Sequence, residues 1–87
     1  MNEQDNKIDE IKGFPLFFDI EDQELRNRNQ AVILCNMFED GSKDGKVQPK
    51  TMLSMIQYFR QIPEAERQIV YTKFSEGMRA RGFGGLQ

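Results

Sequence analysis

The chain has 87 residues, of which 38% are hydrophobic and 30% charged, and its formal net charge is −2. This length fits one domain with a modest core, and seven Phe and five Met supply enough apolar mass to argue against wholesale disorder. The negative net charge argues against a nucleic-acid-binding protein, because such proteins neutralise phosphates with an excess of basic side chains. With no His and a single Cys, an internal disulfide, a zinc site of Cys and His ligands and a His-activated nucleophile are excluded. We therefore predict no enzymatic activity, no metal and no cofactor.

Two features of the sequence predict the cellular location of the protein. No apolar run approaches the ~20 residues of a membrane span. The first ten residues are polar and acidic, unlike a signal peptide. We expect a cytoplasmic protein that does not contact a membrane.

Helical patterns account for most of the chain. Ile8 and Ile11 have helical spacing within residues 6–12, and Gly13 and Pro15 would end that helix. A second helix is predicted over residues 19–39, with Asp19 as its N-cap and an apolar stripe along one side. No segment has the alternation of a strand.

Two further helices are predicted in the C-terminal half. One begins at Pro49, the other opens at Pro63 and stops at Gly82, and the short connection between them predicts a helix-turn-helix-like hairpin. Residues 1–5 and 83–87 are expected to fray. The predicted fold is a single all-α domain over residues 1–87, a compact bundle of four to five helices.

The loop at residues 40–51 resembles the start of an EF-hand calcium loop. Asp40, Ser42 and Asp44 fall at the first three ligand positions and Gly45 at the turn position, but Thr51 stands where the bidentate Glu belongs. A polar turn is therefore favoured, and a degenerate EF-hand-like structural adaptor is kept as an alternative.

The predicted C-terminal hairpin leaves a second alternative open, a helix-turn-helix DNA-binding protein. Its last helix mixes both charge signs, and its cations gather late rather than at the base-reading N-terminal end. The lone Cys35 lies among Val32, Ile33 and Leu34, which is typical of a packed thiol rather than a reactive one.

The apolar cluster of Phe14, Leu16, Phe17 and Phe18 is the most informative feature of the sequence. Together with Ile8, Ile11 and the second helix, it exceeds what one small helical core needs. A surplus of apolar surface in a small domain indicates a partner surface or self-association.

Short motifs spread over residues 8–78 resemble those of the AsiA family, the small anti-sigma factors of T-even-type bacteriophages. Phe18, Glu21-Asp22 and Asn27-Arg28 resemble the family's Phe-x-x-Glu-Asp stretch before its Asn-Arg. Residues 28–36 match a family helix without a gap, Asp44-Gly45 stands where the family has Glu-Gly, and residues 74–78 resemble Phe-Asn-Glu-Gly-Phe. The chain departs from the family in two loop lengths, in a shorter C-terminal tail and in Pro15, which interrupts a region that is helical in the family.

The resemblance implies an all-helical transcription regulator of bacteriophage type. AsiA-like proteins use their N-terminal half to bind the promoter-recognition region of the host's primary sigma factor, and so act as anti-sigma factors and co-activators. The same face can form a homodimer. Carried over by position, this face comprises Ile11, Phe14, Phe17, Phe18, Leu34 and Phe38.

We accordingly predict a protein–protein interaction with bacterial RNA polymerase in the host cytoplasm, without direct binding of nucleic acid. Phe17, Phe18, Leu34 and Phe38 are the expected anchors. A ring of Glu21, Asp22 and Arg28 is expected to set orientation and on-rate.

Overall fold

The computed structural model describes residues 14–83. Three helices, α1 (Gln23–Asp40), α2 (Pro49–Arg60) and α3 (Glu64–Ala80), make up most of this part of the chain. A minimal antiparallel hairpin, β1 (Ser42–Lys43) and β2 (Lys46–Val47), joins α1 to α2. The predicted helical character is confirmed. The helix expected at residues 6–12 lies outside the described residues, as does the fraying expected at residues 1–5 and 84–87.

Helix α1 begins one turn later than the sequence predicts. Asp22, not Asp19, is its N-cap, and its carboxylate accepts hydrogen bonds from the backbone N–H groups of Glu24 at 3.0 Å and Leu25 at 3.4 Å. The prediction of Asp19 was wrong because residues 17–20 form a separate turn, closed by a 3.0 Å hydrogen bond from the Ile20 N–H to the Phe17 carbonyl.

The hairpin corrects the expectation that the chain contains no strand. Asp44 and Gly45 have φ values of 56° and 79°, the conformation of a type I′ turn, and Lys43 pairs with Lys46 across it. The sequence signal was the Asp-Gly pair itself. At the base of the hairpin, Gly41 lies so close to the Thr51 side chain that a Cβ would clash.

Helices α2 and α3 begin as predicted, with Pro49 in the first turn of α2 and Pro63 capping α3. Arg67 closes the corner between them by donating to two carbonyls, Ile62 O from Nε and Arg60 O from Nη2, each at 2.8 Å. Since these carbonyls have no intrahelical partner, the guanidinium caps the end of α2.

The core lies where α1 packs against both other helices. Its buried apolar side chains are Ala31, Leu34, Cys35, Met37, Phe38, Met55, Tyr58, Ile62, Val70 and Met78. Gly77 lets α3 approach α1, because a Cβ there would stand 3.0 Å from Cys35 Sγ. Phe83, expected to fray, packs edge-on against Phe38 with ring centroids 5.4 Å apart.

Candidate functional site

The segment before α1, residues 14–22, crosses the helices as an irregular strap. Its turn presents Phe18 to solvent with 55% of the residue exposed. Phe17, at the start of that turn, has a φ of 61°, a left-handed conformation that costs a non-glycine residue ~1–2 kcal/mol. Surrounding contacts must therefore hold this turn in place.

Side chains from α1 and α2 hold the strap through its carbonyl oxygens. Tyr58 Oη donates to Pro15 O at 2.6 Å, Gln30 Nε2 to Leu16 O at 2.7 Å, and Arg26 Nη1 to Ile20 O at 2.7 Å. Tyr58 and Gln30 are completely buried. Hydrogen bonds thus anchor the strap along its length. The backbone that carries the exposed Phe18 side chain is held in position.

Acidic residues adjoin Phe18 in the sequence of the strap. Asp19, Glu21 and Asp22 are all exposed neighbours of Phe18 in the strap, and Glu24 follows in the first turn of α1. Hydrogen bonding and charge from Lys73 at 2.9 Å, with a smaller effect of Arg28 at 3.3 Å, hold the pKa of Glu24 below its usual range. The strap surface therefore combines one large apolar side chain with negative charge.

A polar cluster beneath the strap connects α1 to the start of α3. Glu66 accepts hydrogen bonds from Asn27 Nδ2 at 2.9 Å and Arg26 Nη2 at 3.1 Å, and Asn27 also donates to Gln30 Oε1 at 3.0 Å. The hydrogen bond from Asn27, followed by that from Arg26, lowers the pKa of Glu66. Because Arg26 and Gln30 also hold strap carbonyls, the cluster couples the strap to α3.

The structure separates the residues that the sequence predicts for the partner-binding face. Phe18 is exposed, and Phe14 and Phe17 are half-buried. Leu34 and Phe38 belong to the core, so they are not on one open surface with Phe18. Ile11 lies outside the described residues.

The predicted polar ring is only partly assembled at the strap. Glu21 and Asp22 are exposed in the same strap as Phe18, but Asp22 is already used as the N-cap of α1. Arg28 lies on α1 and pairs with Glu24.

An apolar groove between α2 and α3 was not predicted as a site. Its volume is about 270 Å³, and apolar side chains line it. They are Met52, Met55, Ile56 and Phe59 from α2, Tyr71 and Phe74 from α3, and Leu34 at the base. Helices α2 and α3 both pack on α1 rather than on each other, which leaves this groove open between them.

The structure also bears on the two alternatives. The calcium-like loop is the type I′ hairpin, and within residues 14–83 no three potential metal ligands are grouped. On α3, Arg67 caps α2 and Lys73 binds Glu24, and at the C-cap of α3 Arg81 lies 3.7 Å from Glu39. Three of the four cations on α3 and its C-cap are thus engaged within the chain, which leaves little basic surface on this helix for phosphate contacts.

Cys35 behaves as the sequence predicts for a packed thiol. It is buried, its Sγ lies 3.6 Å from the Phe74 carbonyl, and burial raises its pKa. A raised pKa disfavours the reactive thiolate.

Comparison of the chain with family models, curated proteins and solved structures gives no match. In the part of the chain that the structure describes, no helix has the length and apolar character to cross a bilayer. The strap surface, the groove and the sequence resemblance remain as the grounds for inferring function.

Proposed function

We propose that this protein is a small non-catalytic transcription regulator that binds a protein component of bacterial RNA polymerase. The expected partner is the promoter-recognition region of the primary sigma factor, which the protein sequesters or redirects as an anti-sigma factor and co-activator. The observation that carries this proposal is Phe18, exposed on an anchored strap among exposed carboxylates.

The chemistry of this surface fits a basic, DNA-reading partner. Carboxylates of Asp19 and Glu21 can pair with the Lys and Arg side chains that otherwise contact DNA phosphates. Phe18 supplies an aromatic anchor for a neighbouring apolar pocket. Because the strap is already held in position, little conformational entropy is lost when the partner binds.

The remaining predicted residues take supporting roles in this proposal. Phe14 and Phe17 flank the anchor, and Leu34 and Phe38 act from the core by maintaining the fold under it. We also propose that residues 6–12 form a fourth helix of the bundle, that the strap surface supports a homodimer in the free protein, and that the protein works in the host cytoplasm.

Binding of the purified sigma promoter-recognition region, measured by isothermal titration calorimetry, tests the proposal. Phe18→Ala should weaken binding by roughly 30-fold, the effect of removing an aromatic hot spot. Far-UV circular dichroism should show an unchanged fold, because more than half of Phe18 is already exposed.

Leu53→Ala is the matched control, since Leu53 is 57% exposed but lies on α2. It should bind sigma like the wild type. The proposal fails if the wild-type protein does not bind sigma or RNA polymerase at micromolar concentration, or if Leu53→Ala loses as much affinity as Phe18→Ala.

A further inference from the structure

Glu66, in the first turn of α3, contacts two side chains of α1 that lead to the strap. Its Oε2 atom accepts a hydrogen bond from Arg26 Nη2 at 3.1 Å, and its Oε1 atom accepts one from Asn27 Nδ2 at 2.9 Å. Arg26 reaches the strap directly, because its Nη1 atom donates to the Ile20 carbonyl at 2.7 Å. The side chains of Glu66 and Arg26 are only 15% and 16% exposed, so water competes weakly for their bonds.

Asn27 reaches the strap through a second amide, and the direction of each hydrogen bond matters. Asn27 Nδ2 also donates to Gln30 Oε1 at 3.0 Å, which leaves Gln30 Nε2 to donate to the Leu16 carbonyl at 2.7 Å. A carboxylate can only accept, so Glu66 requires the nitrogen of Asn27 to face it. That requirement directs the oxygen of Gln30 towards Asn27 and its nitrogen towards the strap. Both amides are completely buried, so reversing either one would leave polar atoms unpaired.

An amide side chain in place of Glu66 could satisfy only one of the two donors. If its oxygen faced Asn27, its NH₂ group would face the Arg26 guanidinium, donor against donor. If its oxygen faced Arg26, its NH₂ group would face Asn27 and favour reversal of that amide. Gln30 would then reverse as well, and its oxygen would oppose the Leu16 carbonyl. In either arrangement, one of the strap's anchors loses its support.

The turn that these anchors hold is strained, so a loosened anchor should change its conformation. Phe17 has a φ of 61°, and release of the strap would let this residue return to a more favourable backbone conformation. Phe18 follows directly in the chain and is exposed. Its side chain would then no longer be held in one position.

We propose that Glu66 is a positioning residue for partner binding: it does not contact the partner, but its two oxygens fix the Arg26 guanidinium and the two amides that hold the strap under Phe18. This inference rests on the proposed function for the identity of the binding surface. It extends that function by giving a residue of α3 control over a surface that α3 does not carry.

The first experiment needs no partner and compares Glu66→Gln with Glu64→Gln in the full chain. Both variants remove one carboxylate from the first turn of α3, but Glu64 is exposed and lies outside the polar cluster. Hydrogen exchange of the Ile20 amide, which closes the strap turn, should be roughly fivefold faster in Glu66→Gln, the change that one net hydrogen bond makes to an equilibrium. Nitrogen-15 NMR should show displaced side-chain amide signals of Asn27 and Gln30 in that variant alone.

A double-mutant cycle with Phe18→Ala tests the effect on binding of the sigma promoter-recognition region. Glu66→Gln should weaken binding roughly three- to fivefold when Phe18 is present, because a smaller fraction of the molecules presents its ring correctly. In the Phe18→Ala background, the same change should have no further effect. A general loss of stability would instead lower the affinity equally in both backgrounds.

Two results would overturn the proposal. One is exchange at Ile20 that Glu66→Gln leaves unchanged, or raises no more than exchange of the buried core amide of Val70. The other is an affinity that Glu66→Gln leaves unchanged, or lowers equally with and without Phe18. If the wild-type protein does not bind sigma, the proposed function fails, whereas the exchange and amide measurements still decide whether Glu66 positions the strap.

Discussion

The hydroxyl group of Tyr58 is the most direct point at which to perturb the strap. Tyr58→Phe removes the 2.6 Å hydrogen bond to the Pro15 carbonyl and leaves the buried ring in place. Burial raises the pKa of Tyr58 above its ordinary value of 10, so the hydroxyl remains a donor throughout the neutral range. Any loss of stability therefore reports the hydrogen bond rather than packing or ionisation.

The size of the effect follows from what happens to the carbonyl. A net hydrogen bond contributes about 1 kcal/mol, and a buried acceptor left without a partner costs up to about 3 kcal/mol. Since Pro15 is exposed, a small shift of the strap lets its carbonyl reach water. We expect a loss of about 1–2 kcal/mol, equivalent to a fall of roughly 5–15 °C in Tm for a domain of this size.

Urea denaturation followed by circular dichroism measures the loss, and hydrogen exchange of the Ile20 amide, which closes the strap turn, localises it. Tyr71→Phe is the control, because Tyr71 is 54% exposed and its hydroxyl can bind water. That variant should stay within about 0.5 kcal/mol of the wild type. Equal stability of Tyr58→Phe and the wild type, or equal losses in both variants, would refute the idea that this bond anchors the strap.

Three further predictions follow from other contacts. The pKa of Glu66 is lowered in the folded protein, so the stability that its carboxylate contributes is present above pH 4.5, its ordinary pKa, and is lost as pH falls through the lowered value. The unfolding free energy of Glu66→Gln, measured in urea across acidic pH, should therefore depend less steeply on pH than that of the wild type, and equal slopes would contradict this. Gly41→Ala should lower the unfolding free energy by about 1–3 kcal/mol, since the new methyl group would clash with the Thr51 side chain. An unchanged melting curve would contradict this by showing that the loop adjusts without loss of stability. Millimolar calcium should leave Tm unchanged because the loop is a paired hairpin, and a rise of several degrees would reveal a site.

Local signals in the sequence were sufficient for much of the helical framework. Pro49, Pro63 and Gly82 mark helix boundaries by their own backbone restrictions, and the structure has α2 and α3 at those places. The Asp44-Gly45 pair is an equally local hairpin signal, because both residues accept the positive φ that a type I′ turn requires.

The strap could not be predicted in the same way, because contacts between distant residues define it. The bonds from Gln30 to Leu16 and from Tyr58 to Pro15 join residues 14 and 43 positions apart. In the strap held by these contacts, the turn closes at Ile20, and the N-cap of α1 is Asp22 rather than Asp19. The sequence did indicate excess apolar surface near Phe18, but only the packing shows that Leu34 and Phe38 are core residues and that α2 and α3 leave a groove.

The two buried carboxamides of α1 have a consequence for the uniqueness of the fold. Methionine is an adaptable side chain, and a core containing Met37, Met55 and Met78 can fill its space in several ways. Asn27 and Gln30 do not share this freedom, because rotating α1 by one residue would remove their partners and cost about 1–3 kcal/mol for each group left unpaired. The apolar side chains thus supply most of the stability of the fold. The two amides select one orientation of α1 among packings that would be similar in free energy if only the methionines distinguished them.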